Sequence, residues 1–220
     1  HAWAQVYLPD LWIWRDNCWN QLPANNPMPS GRHCHTLVQT ASKKEAVLFG
    51  GFDGTSYCDD VWALDMQDFT WRQIKTSGSG PSKRSQHSAC FCNGQMFVFG
   101  GYFYDGEEKY YGDLHGLDIE TGVWRKYWDP TTPSPRNRAP LVPINEFECV
   151  LVNGNFYKNA KGTDEWYRDV FVLDTRTQKW KRLVCANDGA SPKQSHLATV
   201  LHDGILYCFG GEKSMKRYKS

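Results

Sequence analysis

Short apolar runs alternate along the chain with polar, glycine-containing turns, and no segment shows the 3.6-residue period of a capped helix. One run ends in a glycine pair, Val47-Leu48-Phe49-Gly50-Gly51, and is followed by Asp60-Val61-Trp62-Ala63-Leu64-Asp65 and then by Trp71. Together with a preceding apolar run, this pattern predicts four short strands, over residues 35–38, 46–49, 61–64 and 70–74.

The same order of landmarks occurs twice more. Phe97-Val98-Phe99-Gly100-Gly101 leads to Asp113–Asp118 and Trp124, and Cys149–Gly154 leads to Asp169–Asp174 and Trp180. Each first Asp stands 11 residues before its Trp, and the equivalent tryptophans 19, 71, 124 and 180 are 52, 53 and 56 residues apart. Self-similarity at a period of about 50 residues indicates a repeat architecture.

The chain therefore holds three whole units between two partial ones. A four-stranded antiparallel sheet with two apolar faces cannot stand alone, and stacking such sheets around an axis buries both faces, as in a β-propeller. The predicted fold is all-β, with three whole four-stranded blades and two half-blades. We place a half-blade at 1–24, blades at 25–76, 77–128 and 129–185, a half-blade at 186–213 and a basic tail at 214–220.

These landmarks resemble the kelch repeat, which combines an apolar run ending in Gly-Gly, a strand closed by Asp and a Trp six residues beyond that Asp. A basic residue three positions before a His completes the pattern, as in Arg32–His35, Arg84–His87 and Lys193–His196. The resemblance covers essentially the whole chain and implies a kelch-type β-propeller. The third unit departs from it, with Asn153-Gly154 for the glycine pair and Ala139-Pro140 in place of the His.

The two partial units leave the closure of the ring open. Kelch proteins usually join their terminal strands into one blade, which would give a four-bladed ring here. Kelch propellers usually have more blades than that, and the chain begins at His1 instead of Met. We therefore expect a partial propeller cut from a longer chain.

The composition of the chain limits the classes of partner that are expected. There are 25 basic and 24 acidic residues, a net charge of +1, so neither nucleic acid nor an anionic membrane is expected as the main partner. No apolar run approaches the ~20 residues of a membrane span. The eight cysteines lie mostly in strand-like runs without a CxxC pair, which favours buried free thiols and a reducing, cytoplasmic location. A zinc site at Cys90 and Cys92 would need two further ligands and is not expected.

No nucleophile elbow, phosphate-binding loop, HExxH or paired acid–base signature is present, so we predict a protein that is not an enzyme and has no cofactor. His35, His87 and His196 are read as part of the kelch pattern, and no metal site is predicted. Copper enzymes similar to galactose oxidase also use kelch-like propellers, so an oxidoreductase or lyase remains an alternative. Nothing in the sequence singles out their Tyr–Cys and His constellation.

Two sets of site residues follow from the resemblance. The structural set comprises Gly50, Gly51, Gly100, Gly101, Gly210, Gly211, Trp19, Trp71, Trp124 and Trp180, the tryptophans packing between blades. In kelch proteins that bind peptides, pocket residues follow the glycine pair or stand two past the basic landmark. The predicted binding set is Phe52, Gln86, Tyr102, Phe103, Tyr104, Arg136, Arg138 and Asn155.

The predicted function is a non-enzymatic interaction module that binds a protein or peptide through loops on one face, as a substrate receptor or assembly scaffold. Arginine forks such as those of Arg136 and Arg138 suit the carboxylates of an acidic or C-terminal peptide. The alternative within the same class is a structural subunit embedded in a large complex.

Overall fold

The computed structural model describes residues 6–23, 27–157, 164–184 and 198–211. Short strands and turns make up this part of the chain, and none of its elements is a helix that could cross a membrane. The strands are β1 (Trp12–Arg15), β2 (Cys18–Gln21), β3 (Thr36–Gln39), β4 (Glu45–Phe49), β5 (Val61–Asp65), β6 (Trp71–Ile74), β7 (Ser77–Gly78), β8 (Ser88–Cys92), β9 (Gln95–Phe99), β10 (Tyr102–Tyr104), β11 (Glu108–Tyr110), β12 (Leu114–Asp118), β13 (Val123–Tyr127), β14 (Leu141–Pro143), β15 (Glu148–Val152), β16 (Asn155–Tyr157), β17 (Asp164–Trp166), β18 (Val170–Asp174), β19 (Lys179–Leu183), β20 (Ala198–His202) and β21 (Ile205–Phe209).

Three larger sheets follow one another along the chain and are called here the first, second and third blades. Their strand orders are β3-β4-β5-β6, β8-β9-β12-β13 and β14-β15-β18-β19, all antiparallel, and β7 adds a short parallel strand beside β13. The predicted all-β propeller fold is confirmed. The two long linkers between second and third strands are not plain loops, because they fold into the hairpins β10–β11 and β16–β17.

Two seams between blades hold most of the core. Inner strand β8 contacts β3 on one side and β14 on the other, so the blades face one another across buried apolar layers. Trp124 of the second blade packs on Phe49 of the first, with ring centroids 5.4 Å apart. Trp180 of the third blade packs on Phe99 of the second at 5.2 Å. The second and third blades thus each pack an outer-strand tryptophan against the last residue of the preceding blade's second strand.

The terminal segments form separate two-stranded sheets, β1–β2 and β20–β21. In the described parts of the chain these two sheets do not pair with each other, so the four-bladed ring is not the arrangement observed. Leu206 of β21 packs instead against the apolar face of the third blade. Trp71 is half-buried, whereas Trp19 on β2 is 65% exposed and Phe209 on β21 is 83% exposed.

The glycine pairs occur where the backbone turns left-handed against the next blade. Gly50 has a φ of +66°, and a Cβ atom there would lie 2.8 Å from the His87 ring and 2.9 Å from the Arg84 carbonyl oxygen. A side chain therefore cannot be accommodated without displacing backbone. Asn153 fills the equivalent position in the third blade at φ +55°, a conformation that Asn tolerates better than most residues.

A buried arginine on the segment that enters each inner strand fixes the loops of its blade. Its Nη1 donates to the carboxylate of the Asp that precedes the third strand, at 2.5, 2.7 and 2.5 Å in Arg32–Asp60, Arg84–Asp113 and Arg136–Asp169. Nη1 also donates to a carbonyl at the end of the second strand, that of Gly50, Gly100 or Asn153. Nε donates to a serine carbonyl two residues upstream, that of Ser30, Ser82 or Ser134. We call this arrangement the arginine clamp.

The electrostatics of the clamp favour the charged pair. Burial alone would raise the pKa of Asp113, but the hydrogen bonds from His115 and Arg84 lower it well below its usual range. The pKa of Asp60 is lowered against the same effect of burial by Arg32 and Trp62. A buried guanidinium needs a counter-charge and several acceptors, and the clamp supplies both.

Replacing Asp113 by Asn would leave the guanidinium of Arg84, whose side chain is 0% exposed, without its counter-charge. We expect a loss of about 3 kcal/mol in the free energy of unfolding, since removing one partner of a buried pair costs roughly 3–5 kcal/mol. Asp105→Asn is the control, because it breaks a solvent-exposed pair with Lys109 and should have a much smaller effect on the free energy of unfolding. Urea unfolding followed by tryptophan fluorescence measures both losses, and equal losses would contradict this role of the clamp.

His87 forms a second link across the seam between the first two blades. It is 6% exposed, its Nε2 lies 2.8 Å from the Thr36 hydroxyl, and its ring packs on Phe49. Burial, reinforced by the nearby charges of Arg84 and His35, lowers the pKa of His87 to about 3. The ring is therefore neutral in the folded protein at pH values where an unfolded chain begins to protonate it.

Because its folded pKa lies below the unfolded value of 6.5, His87 makes the protein less stable as the pH falls from about 6.5 toward 3. We expect the unfolding free energy to decline by up to ~1.4 kcal/mol per pH unit in this window. His87→Gln should flatten the decline, whereas His202→Gln, at an exposed position on β20, should not. Urea midpoints between pH 7 and 5 test this, and an unchanged slope in His87→Gln would refute it.

Candidate functional site

The loops held by the arginine clamps meet at one end of the blades. The loops between second and third strands are called glycine-pair loops and comprise residues 50–60, 100–113 and, as far as they are described, 153–157 and 164–169. The segments before the inner strands, 27–35, 75–87 and 128–140, are called entry segments. They are joined in each blade by an isolated β-bridge: His33 with Phe52, Ser85 with Tyr102, and Asn137 with Asn155. The residue after each glycine pair is therefore fixed beside the entry segment of its own blade.

A second set of hydrogen bonds links neighbouring blades. The amide of Gln86 donates to the carbonyl of Cys34, and the amide of Arg138 donates to the carbonyl of Gln86, both at 2.9 Å. All three residues have a left-handed φ of 54–56°, which is uncommon outside glycine. The side-chain carbonyl of Gln86 also accepts hydrogen bonds from Asn137 at 2.6 Å and Arg138 at 2.9 Å. These contacts hold the three entry segments in one fixed series.

Aromatic rings follow this series across all three blades. His33 stacks on Tyr7 at 4.8 Å between ring centroids and meets Phe52 at 5.7 Å. Further ring pairs have centroids 4.7–6.3 Å apart. These pairs are Phe52–Tyr57, Tyr57–Tyr102, Tyr57–Phe103, Tyr102–Tyr110 and Tyr110–Phe156. Apart from the exposed His33, all of these rings are half-buried. We call Tyr7, His33, Phe52, Tyr57, Tyr102, Phe103, Tyr110 and Phe156 the aromatic arc.

The charge beside the arc is mainly negative. The loop residues 52–59 and 102–111 carry five carboxylates against the single Lys109; the carboxylates are those of Asp53, Asp59, Asp105, Glu107 and Glu108. Lys109 pairs with Asp105 at 2.7 Å, and its ammonium lies 5.4 Å from the Phe103 ring centroid. Burial and the neighbouring Glu108 raise the pKa of Tyr102 to about 12, so its hydroxyl stays protonated.

Most of the predicted binding set lies on this face. Phe52, Tyr102 and Phe103 belong to the arc, whereas Gln86 and Arg138 are hydrogen-bonded to each other in the entry segments. Tyr104 is 52% exposed at the end of β10 and lies outside the arc.

Two residues of that set require correction. Arg136 is 1% exposed and Asn155 is 0% exposed, so neither presents a side chain to a partner at the surface. The guanidinium of Arg136 is engaged by Asp169, and the Tyr167 ring covers it at 4.0 Å. Arg136 therefore belongs to the clamp and not to a carboxylate-binding fork. Both side-chain polar atoms of Asn155, and Oδ1 of Asn137, are buried without a protein hydrogen-bond partner.

Sequence reasoning missed part of the arc and the pairing within the clamp. Tyr57, Tyr110 and Phe156 were not selected, although aromatic residues in polar loops beside a glycine pair were a usable signal. Each clamp joins a basic landmark to an Asp 28, 29 or 33 residues later. Both residues belong to the repeat pattern, but their spacing in the sequence does not indicate that they pair.

The described residues contain no group of three or more His, Cys, Asp or Glu side chains arranged to hold a metal ion. His87 bonds to the Thr36 hydroxyl, and His196 of the same predicted series lies outside the described residues.

Comparisons with known proteins agree with this architecture. A family model described as the KLHDC2/KLHL20/DRC7 kelch-repeats domain matches residues 5–211. Kelch domain-containing protein 3 of Rattus norvegicus is 28% identical over 210 residues, covering 88% of this chain and 53% of that protein. The flagellar outer arm dynein alpha chain of Chlamydomonas reinhardtii is 25% identical over 96% of this chain and 5% of its own length. Host cell factor 1 of Rattus norvegicus is 29% identical over 67% of this chain and 8% of its own.

The chain thus spans about half of kelch domain-containing protein 3 and a small part of the two larger relatives. The family model covers nearly all of it, including the three blades, their glycine pairs and their arginine clamps. This chain belongs to the kelch-repeat family.

Proposed function

We propose that this chain is a non-enzymatic interaction module that binds an extended protein or peptide segment across the aromatic arc. Kelch-repeat domains are generally protein-interaction modules, which supports the same class of function for this chain. The continuity of the arc carries the proposal. Tyr57 and Phe103, 4.9 Å apart, join the first blade to the second, and Tyr110 and Phe156, 4.7 Å apart, join the second to the third.

The arc suits binding because its rings are already ordered. Association normally costs free energy to immobilise side chains, and rings held by neighbours and by bridged loops avoid much of that cost. Aromatic residues are enriched among the anchors that dominate interface energies. Both polar atoms of the Asn155 side chain and Oδ1 of Asn137 are buried without a protein partner, and a bridging water would satisfy them beneath the arc.

The charge beside the arc favours a segment that carries Lys or Arg. Arg136 is enclosed in its clamp and therefore does not offer its guanidinium to the carboxylate of an acidic peptide. Carboxylates outnumber cations on the glycine-pair loops of the first two blades, and aromatic faces attract cations. Cations already occupy such faces within the protein, since Arg84 lies 4.0 Å over Tyr111. The bound segment is therefore expected to be basic and extended.

The module would act as a substrate receptor or as an assembly scaffold. A subunit role inside a larger assembly is the second candidate, and one observation favours it. Trp14 and Trp19 on β1–β2 and Phe209 on β21 are 57%, 65% and 83% exposed. The two terminal sheets therefore present apolar surface to which a neighbouring subunit could bind. The similarity to a dynein alpha chain is compatible with that role.

The free cysteines of the described residues favour a reducing compartment, and we propose the cytoplasm.

Replacing Tyr102 by Ala should interrupt the arc at the centre of the second blade. Peptides selected from a random display library against the wild-type chain serve as probes, and fluorescence polarisation measures their affinity. We expect the dissociation constant to rise about 10- to 100-fold, as for a central aromatic anchor. Trp128→Ala, which removes an 84% exposed ring after the outer strand of the same blade, should change it less than about twofold. Selection of no peptide, or equal losses in both variants, would contradict the proposal.

The charge preference is tested with the double variant Glu107→Gln/Glu108→Gln. Removing two carboxylates beside the arc should weaken Lys- or Arg-containing peptides about 3- to 10-fold and should reduce their salt dependence, because exposed charges are screened by salt. Asp68→Asn/Glu120→Gln changes two carboxylates in the turns between third and fourth strands and should have little effect. If selected peptides are acidic and bind the double variant more tightly, the basic-peptide preference is wrong while the arc remains the site.

A further inference from the structure

Three thiols lie in the seam between the second and third blades. Cys90 on β8 and Cys149 on β15 belong to different blades and are 2% and 0% exposed, and their sulfur atoms are 3.1 Å apart. Cys92, two residues beyond Cys90, is 4% exposed, and its sulfur lies 3.1 Å from the Glu146 carbonyl oxygen. The seam between the first and second blades has no such group of thiols among its buried core residues in the described structure.

We propose that Cys90 and Cys149 are an oxidisable pair that forms a reversible disulfide between these blades, with a low-molecular-weight disulfide such as oxidised glutathione as the oxidant. One thiol of the pair loses its proton and attacks a glutathione sulfur, which breaks the glutathione disulfide and releases one glutathione thiolate. The second thiol, once deprotonated, attacks the mixed disulfide and releases the other. Two protein thiols are oxidised, one disulfide is reduced, and two glutathione molecules leave.

Geometry selects this pair among the three thiols. Cys90 and Cys92 stand on the same face of one strand, where residues two apart are separated by roughly 6.5 Å. A disulfide requires Cβ atoms about 3.5–4.5 Å apart, so these two cannot join without distorting the strand. Cys149 must therefore be one partner. The sulfur of Cys90 is already in contact with it, whereas the sulfur of Cys92 is held by the Glu146 carbonyl.

The surroundings control when the reaction occurs. Hydrogen bonding from Cys90 raises the pKa of Cys149, with burial as a further cause, so its thiolate is scarce in the closed seam. Exchange therefore requires the two blades to separate transiently, which exposes the sulfurs and lowers the cost of ionisation. Once formed, the bridge joins positions 59 residues apart and opposes further separation. Formation of the disulfide would therefore depend on transient separation of the two blades, and the disulfide would then hold the blades together.

The test uses the full chain with the exposed thiols removed by Cys18→Ser and Cys208→Ser. The folded protein is equilibrated in glutathione buffers of increasing oxidised fraction, quenched by alkylation under unfolding conditions and mapped by mass spectrometry, including Cys185. We expect a Cys90–Cys149 crosslinked peptide and a rise in Tm of roughly 5–15 °C. Dithiothreitol should reverse both changes.

Cys92→Ala should retain the crosslink, and Cys90→Ala should abolish both the crosslink and the rise in Tm. If Cys90→Ala does not fold, the map of the chain with Cys90 intact still decides the question. Recovery of Cys90 and Cys149 as alkylated thiols at every glutathione ratio would overturn the proposal. So would a crosslink that forms only in the unfolded chain, or one that joins Cys149 to Cys92.

Discussion

The buried guanidinium is the constraint on which the rest of this structure depends. An arginine enclosed by protein must find a carboxylate and several carbonyl oxygens together, because water cannot satisfy its donors there. In each blade those acceptors come from the second strand's end, the third strand's start and the serine just upstream, as for Arg84 with Gly100, Asp113 and Ser82. These acceptors belong to three separate segments of the chain, so the clamp fixes the positions of the loops relative to one another.

Because the clamps fix the glycine-pair loops, the aromatic arc is continuous across the three blades. The clamp holds the glycine-pair loop against the entry segment, and the amides of Gln86 and Arg138 then bind the preceding blade. Aromatic residues of neighbouring glycine-pair loops then meet at ring-contact distance. The third blade keeps this loop arrangement although Asn153 replaces a glycine, since Asn accepts the left-handed backbone. Rigid support and variable tips are the usual division of labour in a binding scaffold.

The two central seams share a plan but differ in chemistry. Both place a tryptophan under an aromatic residue of the preceding blade, Trp124 under Phe49 and Trp180 under Phe99. The first seam adds the neutral His87, bonded to Thr36, whereas the second adds the contact between Cys90 and Cys149. The loss of the His at Ala139 therefore accompanies a change from a proton-sensitive seam to one that carries thiols. Blade packing fixes the shape of a seam and leaves its polar contents free to differ.

The sequence alone determined the all-β class, the repeat and the family, because strand alternation, glycine turns and a Trp at fixed spacing are set by residues close together in the chain. It also indicated Phe52 and Tyr102 of the aromatic arc and Arg138 of an entry segment. It could not show that Arg136 is buried, that Tyr57 meets Phe103, or that Cys90 meets Cys149. Those contacts join residues from different strands or blades, and only the packing of sheets around a common axis decides which distant side chains share a seam or a surface.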